Sequence, residues 1–354
     1  IMGRKKVIFG IDDKPALPIA IMAGAQHVLT LFGATTLVPL IFGPAMGMSP
    51  AQIATFIGCV YFGMGVATLI QTWPVTGSGL PIVQGSSFSF IPPIMTVIVA
   101  YKALGPEAIM QHVAGGLIVG GLFLSFLGYS KIVGHIRKVI TPVIIGPTIM
   151  AIGFSLAPVA IQFNAANYWP ISLLVVALVF FFSLVSKNKY CNIFAILGSI
   201  VIAYLLSLTL SMAGVFSSSH PAFISLKGVA DAPWFRLNVW LPWGPPKFTG
   251  LAIGAMAAGF FCVMIESIGD YHSCAFAAGA DDPTPDQVNR GIGAEGLSCA
   301  LSACFGSVGT TSYTENIGLI GLTGVASRYV VRIGAIILIL LSLIGKLGAF
   351  VATM

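Results

Sequence analysis

Eleven acidic side chains occur in the 354 residues, and four of them fall inside apolar stretches: Glu266, Asp270, Glu295 and Glu315. Glu266 and Asp270 lie four residues apart in Phe-Phe-Cys-Val-Met-Ile-Glu-Ser-Ile-Gly-Asp-Tyr. On a helix that spacing puts both carboxylates on one face, about 6 Å apart. Gly269 and Ser267 beside them allow a neighbouring element to come close. Two carboxylates in a low-dielectric site do not both ionise readily, so the pair reads as a proton site; if both stay charged, it is a cation site. Glu315 opens a helical stretch, Tyr-Thr-Glu-Asn-Ile-Gly-Leu-Ile-Gly-Leu-Thr. A helix start favours a carboxylate and also presents free N–H groups to a ligand's oxygen. A Glu accepts hydrogen bonds when ionised and donates when protonated, which suits the N–H edge of a heterocycle. The bland alternatives are a pair locked to backbone amides and a simple helix cap. Glu295, in Gly-Ile-Gly-Ala-Glu-Gly-Leu-Ser, is expected near a membrane surface or in a helix–helix bond. Gln26-His27 interrupts an apolar run and could orient the site. Phe88 follows a break in another, where a ring could stack on a planar ligand.

These residues need elements to hold them, and the composition says which. Hydrophobic residues make up 57% and charged residues 8%, and mean hydropathy is +0.97. A soluble surface needs about 25% charged residues. A soluble enzyme, a nucleic-acid binder and a disordered chain are therefore excluded, leaving a polytopic helical membrane protein. The net charge of +6 comes from scattered basic residues, and the six cysteines have no metal-ligand spacing. No metal or cofactor is expected. Intramembrane acids cost roughly 2.5–3.5 kcal/mol each at a helix centre, so their presence needs a reason.

Apolar stretches long enough to span run over about 16–42, 51–73, 82–100, 107–129, 137–161, 168–186, 192–214, 248–274, 288–306, 311–326 and 328–353. A cytoplasmic N-terminus puts twelve Lys and Arg on inside loops and four outside, which satisfies the positive-inside rule. The third and tenth stretches open with polar, Gly-rich sequence, Gly-Ser-Ser-Phe-Ser-Phe and Gly-Thr-Thr-Ser-Tyr-Thr-Glu-Asn. They are seven segments apart. An odd number inverts the second copy, and paired interrupted segments point to a transporter binding site. With seven-plus-seven segments, the chain would be a fragment lacking the last three, and such a piece is expected not to transport.

Four motifs together resemble the nucleobase–ascorbate transporter family. Glu315-Asn316-x-Gly318-x4-Thr323-Gly324 looks like its signature. Gln26-His27, Gln84 to Phe90 and Glu266 to Tyr271 match as well. The resemblance implies an all-α polytopic membrane protein of seven-plus-seven inverted repeats, with short extended strands in segments 3 and 10. It implies a core domain of residues 16–129 and 248–354, a gate domain of which 137–214 is the first half, and a homodimer in the plasma (inner) membrane. Glu266 and Glu315 would hold a nucleobase, with Ser87, Phe88, Tyr313 and Thr314 completing the site. Asp270, His27, Gln26, Asn316 and Glu295 would support it and carry the coupling. The proton is assigned to Glu266, with Asp270 bonded across to His27. Asp270 is purine-like by this resemblance and Glu315 uracil-like, so uracil and xanthine both stay open. The expected function is import of a nucleobase by proton symport. The alternatives are a sodium-coupled nucleobase or ascorbate symporter and an anion exchanger of the same architecture. No nucleophile–base pair or phosphate loop supports an enzyme.

Overall fold

The computed structural model describes residues 7–136, 168–188, 194–237 and 239–353, with scattered positions between 146 and 161 and at 191–192. Helix α1 runs over Leu17–Met46 and stops at Gly47, whose left-handed φ of 79° ends it. Helix α2, Pro50–Thr72, starts with a Ser49/Gln52 capping box and Pro at its first position. Strand β1, Gln84–Ser86, leads through a 3-10 turn, Phe88–Phe90, into α3, Ile91–Tyr101. Pro92 and Pro93 fall where a first helical turn has no N–H to lose. Then come α4, Pro106–Tyr129, and the single turn α5, Val133–Ile136. Next are α6, Trp169–Phe180, extended by a wider turn to Val185, α7, Ala195–Met212, and the short α8, Lys227–Asp231.

The second series repeats the first. Helix α9, Gly250–Ala277, is followed by α10, Pro285–Cys304, with its own capping box of Thr284 and Gln287. Strand β2, Thr310–Ser312, leads into the half-length helix α11, Thr314–Thr323. Helix α12, Arg328–Ser342, and α13, Gly345–Val351, follow. β1 and β2 pair antiparallel, Gln84 opposite Ser312, Gly85 opposite Thr311 and Ser86 opposite Thr310. Unpaired extended backbone is untenable among apolar helices, and this pairing satisfies it within the protein. Because the strands are antiparallel, α3 and α11 leave the pairing in opposite directions, as an inverted repeat requires.

The two series are packed into one body. α10 lies along α4 and α2, α12 along α2 and α1, and α9 along α4 and α3. Small residues make the α4–α10 contact close: a Cβ on Gly121 would lie 2.6 Å from the Gly296 carbonyl oxygen. α6 and α7 pack on each other, and α7 also meets α1.

Two expectations change. Of the stretches expected to span, five described helices, α1, α2, α4, α7 and α9, are individually long and apolar enough to cross a membrane. Stretches three and ten are split into strand and half-helix, as the resemblance implies, and α10 is too rich in small and polar residues. The stretch 328–353 is broken as well, at Leu343–Ile344. The segment around Phe235 inserts there: Arg236 N–H donates to the Leu343 carbonyl at 2.8 Å, and Gly345 N–H to the Trp234 carbonyl at 3.1 Å. The stretch expected over 137–161 lies largely outside the described residues, as do Arg4, Lys5, Lys6, Arg137, Lys138 and Lys189.

Candidate functional site

The strand pairing brings two helix starts together. Ser87 N–H donates to the Gly309 carbonyl at 2.9 Å and Tyr313 N–H to the Val83 carbonyl at 3.0 Å, extending the pairing at both ends. Beyond it, the first-turn amides of α11 have no carbonyl four residues back; in the Phe88–Phe90 turn the Phe90 N–H is taken by the Ser87 carbonyl at 3.4 Å. Gly85 is required here, since a Cβ would fall on the Tyr313 ring. The Tyr313 hydroxyl donates to the Ser86 carbonyl at 2.9 Å and accepts from Thr35 at 3.3 Å, so its buried side chain ties both strands to α1.

Helix α9 crosses in front of the pairing. Glu266 is half-buried, and Ser89 Oγ donates to its Oε2 at 3.1 Å. One turn on, Asp270 is 5% exposed and takes Thr314 Oγ1 on Oδ1 at 2.9 Å. Its Oδ2 is buried with no partner among the described residues. Glu315, second in α11, is exposed, and lies near enough to Glu266 for their charges to repel. Phe88 is half-buried and Ser87 buried, with Ser87 Oγ unpartnered among the described residues. The two helix starts, Glu266, Glu315 and the Phe88 ring thus form one cluster that presents carboxylate acceptors, amide donors and an aromatic ring.

Asp270 does not reach His27, contrary to expectation. Thr314 takes it, because α11 lies between α9 and α1. His27 is instead held by Asn316, whose Nδ2 donates to the His27 carbonyl at 3.0 Å and faces its Nδ1 at 3.0 Å. The carbonyl fixes which end of the amide is nitrogen, so Nδ1 accepts and the neutral ring carries its proton on Nε2. Asn316 Oδ1 is buried and unpartnered among the described residues. Gln26, beside His27, is half-buried. Within the pair Asp270 is the more buried, since Thr314 and α11 cover it.

Glu295 is not at a surface; it makes the helix–helix bond that is the other expectation, from α10 to Tyr271 of α9. It is fully buried beside β2. Its Oε1 accepts from Ser312 N–H at 2.8 Å, and its Oε2 from the Tyr271 hydroxyl at 2.6 Å. Gln71 Nε2 donates to that hydroxyl at 2.8 Å. With its amide nitrogen turned toward Glu295, Gln84 donates to it at 3.1 Å and accepts from Ser312 Oγ at 3.1 Å. Sequence reasoning gave no role to Ser89, Gln71 or Tyr271. The available signal was Gln71 near the end of an otherwise apolar run, which needs a buried partner.

The family model described as "Permease family" matches residues 18–354. Solute carrier family 23 member 2 of Rattus norvegicus is 31% identical over 398 residues, covering 99% of this chain and 61% of that protein. Nucleobase-ascorbate transporter 12 of Arabidopsis thaliana is 30% identical over 382 residues, covering 98% of this chain and 54% of that protein. The chain therefore spans less than two thirds of the length of these relatives. The transmembrane domain of a cyanobacterium bicarbonate transporter, BicA, superposes with a TM-score of 0.63 at 16% identity, covering 98% of this chain and 89% of that one. At that identity the likeness is one of fold. A family match over nearly the whole chain, on a helical multi-pass membrane fold with paired half-helices, identifies the chain as a member of the nucleobase–ascorbate transporter family.

Proposed function

We propose that this chain carries the substrate site of a nucleobase transporter driven by proton symport. The observation that carries the reading is the cluster at the strand pairing: two half-helix starts beside the partly exposed carboxylates Glu266 and Glu315. A nucleobase presents alternating N–H and C=O along a planar edge. The carboxylates accept from its N–H groups, first-turn amides donate to its carbonyls, and Phe88 stacks on its face. Ser87, Tyr313 and Thr314 set the backbone that supplies those amides.

Coupling rests on Glu266 and Asp270. One proton shared by the pair leaves a neutral donor beside the base; its loss restores repulsion and weakens binding. His27, Gln26 and Asn316 hold α1 against α11, and Glu295 fixes β2. The core, residues 16–129 and 248–354, then moves against a gate that includes 137–214, in a homodimer of the plasma membrane with the N-terminus inside.

One observation favours a second reading. The unpartnered buried oxygens of Asp270 and Asn316 are of a kind that also suits a sodium ion. Uptake of labelled uracil and xanthine by the full-length protein in proteoliposomes separates the readings. Accumulation driven by an inward proton gradient without sodium supports proton symport. A strict sodium requirement that survives a protonophore moves the chain to the sodium-coupled alternative. Exchange of bicarbonate without base uptake sinks both.

A further inference from the structure

The residues before α1 lie as a strap along the connection from α11 to α12. Ile8 and Phe9 N–H donate to the Gly324 carbonyl at 2.8 and 3.2 Å, and Ala326 N–H returns to the Phe9 carbonyl at 2.9 Å. Arg328 N–H donates to the Ile11 carbonyl at 3.0 Å and Ser327 Oγ to the Asp13 carbonyl at 2.6 Å. Between this strap, the end of α2 and the start of α12 lies a cavity of about 300 Å³. Its lining includes Lys14, Arg328 and Arg332, with Asp12 as the one acid among the described lining residues.

The two arginines are held in place. Arg328 pairs with Asp12 and donates to the Gly79 carbonyl at 3.2 Å. Arg332 donates through Nη2 to the Thr72 carbonyl at 2.8 Å and through Nε to Thr72 Oγ1 at 3.3 Å. Its guanidinium lies 4.6 Å over the Trp73 ring. A fixed guanidinium presents a rigid fork, suited to two oxygens of one phosphate. Lys14 stands exposed on the rim. Around it the surface turns apolar: Trp73, Val75, Ile8 and Leu17 are all more than half exposed. All of this sits at the ends of spanning helices, where a bilayer places its headgroups and where Trp is favoured.

We propose that this cavity binds the phosphate of an acidic phospholipid, with Arg332 and Lys14 on the headgroup and the acyl chains along the exposed apolar rim. A free phosphate would need the cations but has no use for that rim, and a neutral phospholipid forgoes the excess positive charge.

Native mass spectrometry on the full-length protein in neutral detergent tests this, with phosphatidylglycerol, phosphatidylcholine and inorganic phosphate as probes. The parent retains phosphatidylglycerol over phosphatidylcholine. Lys14→Gln and Arg332→Gln each weaken the anionic lipid about fivefold, the effect of one basic residue at a charged headgroup, and weaken phosphatidylcholine less, because its choline offsets the charge of the same phosphate. Inorganic phosphate at the same concentration does not displace the lipid. Lys14 is exposed, so its variant keeps the test decisive should Arg332→Gln fail to fold. Equal retention of the two lipids, or a preference that survives both substitutions, overturns the proposal. Displacement of the lipid by phosphate overturns the lipid assignment and makes the cavity a free-phosphate site.

Discussion

The β1–β2 pairing has a carboxylate on each side of it, and the two sides are built differently. Behind it, Glu295 is fully buried and takes hydrogen bonds from Ser312 N–H and Tyr271, with Gln71 behind the tyrosine. In front, Glu266 has one hydroxyl, Asp270 has an oxygen with no partner among the described residues, and Glu315 is exposed. A satisfied carboxylate is scaffold. An unsatisfied one next to open helix starts has capacity left for a ligand or a proton. Charge inside an apolar stretch therefore marks importance, and only the partners tell support from chemistry.

The largest effect should come from the back. Glu295→Leu leaves Ser312 N–H and the Tyr271 hydroxyl buried without acceptors, each costing about 1–3 kcal/mol. Thermal unfolding in detergent should show a drop of tens of per cent in folded, monodisperse protein or its complete loss. A variant as stable as the parent would mean that the strand pairing does not depend on Glu295. Gly85→Ala comes next, since its Cβ meets the Tyr313 ring; overpacking of this kind costs about 1–3 kcal/mol. Relief of the defect by Tyr313→Leu in the double variant would confirm that the ring is the obstacle, and additive losses would reject it.

The front should respond the other way. Glu315→Gln removes a single exposed charge, so stability should change by less than about 1 kcal/mol. Base preference should shift, because one acceptor edge gains a donor. Competition of labelled uracil and xanthine uptake by a panel of bases reads this directly. An unchanged ranking would reduce Glu315 to a helix cap.

How legible this was in the sequence depended on range. Local signals were clear. Long apolar stretches and the polar openings at Gly85 and Gly309 gave the helices and the two breaks, while the capping boxes at Ser49 and Thr284 went unread. The i, i+4 spacing of Glu266 and Asp270 did place them on one face of α9. Partnerships between elements were not readable. Thr314 captures Asp270 from 44 residues away, and Asn316 reaches His27 across 289. Nothing local to His27 says that α11 rather than α9 will cover it. The break at Leu343 was hidden for the same reason: the residues that fill it, Trp234 to Arg236, come from a distant loop. Glu295 looked ambiguous because Gly-Ala-Glu-Gly reads equally as a surface or as a tight contact, and only the distant Tyr271 and Ser312 decide.

In the proposed mechanism Glu266 and Asp270 couple a proton to base binding. The coupling is tested most directly by Glu266→Gln in full-length protein reconstituted into vesicles, comparing uptake against a gradient with base-for-base exchange across pH. The amide imitates the protonated acid. Exchange should persist and lose most of its pH dependence, while concentrative uptake driven by a proton gradient should disappear. If the variant still concentrates base on a proton gradient with the parent's pH profile, Glu266 does not carry the coupling.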